Sequence, residues 1–123
     1  MVVNIGSILG HRGIPHCSEY CASKFALQGL SESIRAELAA SGVDVLVVSP
    51  GTTQTEFFER AIDAEHGARS KRRGMSPESV SRRTVAAIRR GRHEIVLSPS
   101  GRLLVWMNRL FPRALDAVLA RYK

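Results

Sequence analysis

The run Val43-Asp44-Val45-Leu46-Val47-Val48 constrains this chain more than any other segment. It is β-branched and almost wholly apolar, and a strand of that kind suits a sheet covered on both faces. Ser49-Pro50-Gly51 ends it. The flanking sequence supplies the cover. Val2–Ile5 reads as a shorter buried strand, and residues 6–17, with Gly6, Gly10, Gly13 and Pro15, read as a loop. Ser18 is placed to cap a helix that begins near Glu19 and reaches about Ala40, with Ala26, Leu27, Leu30, Ile34 and Leu38 as its apolar stripe and Gly42 as its stop. Residues 52–75 are polar and weakly patterned. Ser76-Pro77-Glu78 then carries a capping hydroxyl, a first-position proline and a first-turn acid, so it opens a helix that runs to Arg90 and stops at Gly91. Residues 94–97 make a third strand, and residues 101–122 a last helical region broken at Pro112. Strand and helix alternate throughout, which predicts an α/β chain with a three-stranded parallel sheet and right-handed crossovers.

Composition narrows the functional classes. At 123 residues and 44% apolar, the chain is one ordinary globular unit and not a disordered tail. Its 18 Lys and Arg against 11 Asp and Glu give a formal charge of +7, concentrated as arginine in the second half. Such an excess attracts nucleic acid, anionic lipid or a phosphorylated ligand without choosing among them. No aromatics interleave with Arg69, Lys71, Arg72, Arg73, Arg82 and Arg83, so a solvated face is expected there and no nucleic acid. His11, His16, His66 and His93 lack metal-ligand spacing, and no metal is expected. Cys17 and Cys21, four apart, are expected to be free thiols, because a helix holds such a pair too far apart for easy bridging. Val2, Val3 and Asn4 after Met1 form no basic leader, and a cytoplasmic location is expected. The strand at Val2 starts without any lead-in, which suggests a truncated chain. Leu103, Leu104, Met107, Leu110, Phe111, Leu115, Val118 and Leu119, with Trp106 and several arginines, suit packing or peripheral contact with an anionic membrane.

Three residues carry chemistry: Ser7, Tyr20 and Lys24. Tyr20 and Lys24 share one face at the start of the first helix. Ser7 follows the first strand, thirteen residues before Tyr20, at the sheet edge where ligands of parallel sheets bind. A free phenol, with a pKa of about 10, is a poor base near neutrality. A neighbouring ammonium favours its phenolate. A serine hydroxyl can hold a carbonyl oxygen where a phenol delivers a proton. No side chain carries a hydride, so carbonyl reduction on such a site needs a cofactor.

Asn4-Ile5-Gly6-Ser7, Tyr20-Cys21-Ala22-Ser23-Lys24-Phe25-Ala26-Leu27 and Ser49-Pro50-Gly51-Thr52-Thr53-Gln54-Thr55 together resemble the short-chain dehydrogenases/reductases. The Tyr-x-x-x-Lys element alone is weak. Its setting, with Ser7 thirteen residues before and Pro50-Gly51 thirty after Tyr20, makes it specific. The resemblance implies a partial Rossmann-like, doubly wound parallel sheet, with residues 1–123 as the C-terminal part of that domain, 57–75 as the substrate lid and 101–123 as a helical tail. It implies an NAD(P)-dependent oxidoreductase with Tyr20 as acid/base, Lys24 on the nicotinamide ribose and Ser7 on the substrate carbonyl. Tyr20, Lys24, Pro50, Gly51, Thr53 and Thr55 would face NAD or NADP. It also implies a small carbonyl or alcohol substrate, and a homo-oligomer for the full-length form, with the Tyr20 helix as a usual dimer face. The family's Gly-rich phosphate loop and its Asn-Ala-Gly segment are not found in these 123 residues, and Gly6 stands where a serine is frequent. The isolated chain is therefore expected to be inactive; the alternative is a non-catalytic module acting through oligomerisation or membrane contact.

Overall fold

The computed structural model describes residues 1–54 and 74–121. Within them, β1 (Val2–Ile5), β2 (Val45–Ser49) and β3 (Glu94–Val96) form a parallel sheet in the order β1-β2-β3. Val2 pairs with Val45 and Ile5 with Val48; Val47 pairs with Glu94 and Ser49 with Val96. Helix α1 (Ser18–Leu38) connects β1 to β2. Helix α2 (Pro77–Arg89) precedes β3, and α3 (Pro99–Leu110) and α4 (Pro112–Leu119) follow it. This is the three-stranded parallel α/β arrangement that the alternation predicts, and the partial Rossmann-like one that the resemblance implies.

Every residue of β2 is buried, as its composition requires. Because side chains alternate along a strand, Leu46 and Val48 point to one face and Val45, Val47 and Ser49 to the other. The first face meets Ala87 of α2 and Leu97 in the main apolar cluster, with Val3, Met75, Val80 and Ile95 around it. Burying a side chain such as Leu46 contributes about 1.5–3 kcal/mol. The second face meets α1 through a polar contact: Asn4 Nδ2 donates to Ser31 Oγ (2.9 Å), which in turn donates to the Leu27 carbonyl (2.6 Å).

That contact corrects the α1 stripe. Ser31 and Cys21 are the residues α1 buries, while Leu27, Ile34 and Leu38 are half-buried and Ala26 and Leu30 are exposed. The helix meets the sheet along a line offset from the apolar one, because Asn4 fixes Ser31 over β1. Arg35 reaches inward and donates to the carbonyls of Val45 (3.0 Å) and His93 (3.1 Å).

Boundaries shift for local reasons. Ser18 is the first helical residue and not the cap; Cys17 holds the cap position, because His16 turns the chain with φ 63° one residue earlier. The α-helix ends at Leu38 and tightens into a 3-10 turn over Ala39–Ser41 before Gly42 (φ 66°). Val43 N–H still bonds to the Leu38 carbonyl, so β2 begins at Val45. Ser76 caps α2 as expected, accepting from Ser79 N–H (3.2 Å). Ser98 does more than close a strand: it caps α3, accepting from Gly101 N–H (3.0 Å), and the helix starts at Pro99, not Gly101. Phe111 separates α3 from α4, which begins at Pro112. The expected lid, 57–75, lies outside the described residues except for Gly74 and Met75.

Candidate active site

The C-terminal ends of β1 and β2 lie side by side, and the loops that leave them are joined. Ile8 N–H bonds to the Pro50 carbonyl (3.2 Å), and Gly6 N–H to that of Val48 (2.8 Å). Ser7 therefore sits beside Pro50-Gly51. Its side chain is buried and caps a 3-10 turn, Ile8–Gly10, accepting from Leu9 N–H at 3.1 Å. This turn packs directly on α1. A Cβ at Gly10 would lie 2.8 Å from the Lys24 carbonyl oxygen, so a glycine is what permits the approach.

Lys24 completes the grouping. Its ammonium donates to the Ile5 carbonyl (3.0 Å), at the end of β1 and two residues before Ser7. The same Nζ stands 5.6 Å from the centroid of the Tyr20 ring. That is cation–π range, and it follows from the one-turn spacing of the two residues on α1. An ammonium is thus fixed between the phenol and the β1 terminus. Tyr20 itself is half-buried. Two of the ammonium's three N–H groups are left for other acceptors beside the Ile5 bond.

The loop after β2 is ordered by a parallel bridge between Thr53 and Met75. Met75 N–H bonds to the Thr52 carbonyl (2.8 Å) and Gln54 N–H to that of Met75 (2.9 Å). These bonds use the peptides flanking Thr53, so the Thr53 N–H and C=O face away from Met75. Its hydroxyl donates to the Gly51 carbonyl (3.1 Å). Gly51 is held against α3: a Cβ there would meet Ser98 Oγ at 2.9 Å. Thr55 lies outside the described residues. Ser7, Lys24, Pro50, Gly51 and Thr53 thus gather at one sheet edge, with Tyr20 under the Lys24 ammonium.

Two polar groups, His11 and Arg12, make contacts that no sequence pattern announces. His11 is nearly buried; its Nε2 lies 3.1 Å from Ser49 Oγ and 3.5 Å from Glu94 Oε1. Both partners meet the same ring nitrogen, so this is a clamp and not a nucleophile relay, which needs one partner on each nitrogen. Arg12 donates to Asn108 Oδ1 (2.9 Å) and pairs with Asp116, while Asn108 Nδ2 donates to the His11 carbonyl (2.9 Å). Loop residues 11 and 12 are thereby tied to α3 and α4. No local signal announces a contact across such a separation. Next to Tyr20, Cys17 and Cys21 are free thiols, Cys21 buried. Burial pushes the Cys17 thiol up, and Cys21 and Glu19 add to the effect.

Residues 1–66 match a family model described as short chain dehydrogenase. A dehydrogenase/reductase SDR family protein 7-like of Anopheles gambiae is 32% identical over an alignment of 117 residues that covers 90% of this chain and 37% of that protein. A short chain dehydrogenase from Burkholderia cenocepacia, solved in complex with NADP, superposes with a TM-score of 0.76 at 26% identity, covering 95% of this chain and 46% of its own. Another from Sphingobium yanoikuyae, in complex with NADPH, gives 0.68 at 25% identity, covering 97% and 44%. The chain spans less than half the length of each of these three proteins.

Proposed function

Because this chain belongs to the short-chain dehydrogenase family, we propose that it carries the acid/base half of an NAD(P)-dependent oxidoreductase acting on a small carbonyl or alcohol. The observation that supports this most is the Lys24 ammonium, held between the Tyr20 ring and the Ile5 carbonyl, two residues from the Ser7 hydroxyl.

The residues present suit one end of a nicotinamide dinucleotide. Lys24 offers two N–H groups beyond its Ile5 bond, a match for ribose hydroxyls. Pro50, Gly51 and Thr53 border the same edge and, with Thr55, would hold the nicotinamide end. The phosphate and adenosine ends need a Gly-rich loop, and these 123 residues contain none of that pattern. When bound, the nicotinamide supplies the hydride.

The chain's own residues handle the proton. Ser7 Oγ is fixed by the Leu9 N–H, which leaves its hydroxyl proton to donate to a substrate carbonyl oxygen. Tyr20 gives its phenolic proton to that oxygen as the carbon is reduced, and takes it back in the oxidative direction. Lys24 stabilises the phenolate that remains. In isolation the chain has the proton chemistry without the phosphate grip, and we propose that it does not turn over alone.

The test joins this chain to an upstream half bearing a Gly-rich phosphate loop and assays NAD(P)H oxidation against a panel of carbonyls. Activity that Tyr20→Phe abolishes supports the assignment; full activity in that variant overturns it. A calorimetric titration of the 123-residue chain with NADPH and NADH checks the second clause, which micromolar binding would contradict.

A further inference from the structure

The last two helices bury very little of their apolar surface. Toward the protein, α3 and α4 turn Gly101, Val105 and Leu115. Away from it, Leu103 (64% exposed), Trp106 (62%) and Leu110 (60%) stand on one face of α3, with Met107 beside them. Their spacing of three, four and seven residues puts them on a single outward stripe. Phe111, at the break, and Val118 of α4 are also more than half exposed. On α3 this is one apolar stripe, and not the scattered exposure that ordinary surfaces show.

Charge distinguishes among occupants. Arg102 and Arg109 on α3, Arg113 on α4 and Arg121 just beyond it are all exposed. From residue 99 to 121 Asp116 is the one acid in the sequence, and it is paired with Arg12. A second copy seated face to face would bring eight guanidinium groups together without counter-charge. An anionic bilayer surface offers what the face lacks: hydrocarbon for the stripe and phosphate or carboxylate for the arginines. Neither helix is long or apolar enough to span a membrane, so the contact is interfacial. Tryptophan at its centre is the residue that favours the headgroup boundary.

We propose that the outer face of α3 and α4 is a docking surface for anionic lipid membranes. The arginines anchor on headgroups, and Leu103, Trp106, Met107 and Leu110 enter the acyl boundary. This does not depend on the redox chemistry above.

Trp106 is the single tryptophan of the chain, so it reports on this face alone. The 123-residue chain is floated with vesicles of phosphatidylcholine containing phosphatidylserine, and with phosphatidylcholine alone. The expected result is capture by the anionic vesicles, weakened by salt, with Trp106 emission shifted to the blue and quenched by brominated acyl chains. Leu103→Glu with Leu110→Glu should lower partitioning at least tenfold, and each of Arg102→Gln and Arg109→Gln roughly fivefold. Capture with unshifted Trp106 emission would mean that other arginines adsorb, and it would overturn the proposal. So would the absence of capture, or a concentration-dependent dimer in sedimentation that Leu110→Glu dissolves.

Discussion

Arg12 pairs with Asp116, 104 residues further along the chain, and so fastens the loop after β1 to the last helix. The Arg12 side chain is 16% exposed and that of Asp116 is 64% exposed, so the two ends of this pair are not equivalent. Arg12→Ala removes both the Asp116 and the Asn108 bonds from a mostly buried site and should cost about 2–3 kcal/mol. Asp116→Ala, at a solvated position, should cost at most about 1 kcal/mol. Urea denaturation of the two variants compares them directly; equal losses would mean that the guanidinium does not bridge Asn108 and Asp116.

Gly10→Ala places a methyl group 2.8 Å from the Lys24 carbonyl, against backbone that cannot yield. We expect a loss of about 1–3 kcal/mol and a displaced Ser7 turn. Thermal melts give the first. Amide exchange at Leu9, whose N–H bonds to Ser7 Oγ, gives the second, as faster exchange.

The raised Cys17 thiol makes a chemical prediction. A pKa raised by burial, by Cys21 and by Glu19 means less thiolate at any pH below it. Alkylation by iodoacetamide at pH 7 should therefore be slower than for a free cysteine, and its midpoint should lie at higher pH. Glu19→Gln should move that midpoint down. Cys21, buried, should not react in the folded chain. Mass spectrometry of the alkylated sites reads both results.

Lys24→Met tests the link between Lys24 and Tyr20 once the chain is joined to a phosphate-binding half. We expect kcat to fall by about 10²–10⁴, the range for a lost acid/base function. Lys24→Arg should recover only part of it, because a planar guanidinium does not reproduce a compact ammonium held on the Ile5 carbonyl. Steady-state kinetics with the pH profile of kcat check both variants; an unchanged profile in Lys24→Met would remove Lys24 from the proton chemistry.

Much of this arrangement was legible in the sequence, and the misses have physical causes. The apolar run Val45-Leu46-Val47-Val48 reads as a central strand, and Ser76-Pro77-Glu78 announces its own cap. The approach of Lys24 to the Tyr20 ring is legible because helical spacing is local information. The α1 stripe was misread because Ser31, a residue with no apolar signal, carries the helix–sheet contact through Asn4. The contacts of His11 and Arg12 are invisible in the sequence for a related reason. Their partners, Ser49, Glu94, Asn108 and Asp116, are brought to them only by the finished topology. Polar groups that meet across the fold leave no periodicity behind.

The Asn108 and Asp116 contacts also bear on the order in which parts of the molecule come and go. Strands β1, β2 and β3 pair in the sequence in which they occur, each with its neighbour in the chain, so the sheet closes only intermediate loops. The return of α3 and α4 to residues 11 and 12 closes a loop of nearly the whole chain, and the entropy of that closure weighs against it. It is held by a few polar contacts and little buried apolar surface. The terminal helices are thus the unit that forms last and opens first, at a free energy below that of global unfolding. Each such opening frees residues 11 and 12 from α3 and α4, while the sheet and the Ser7 turn bonded to it stay in place.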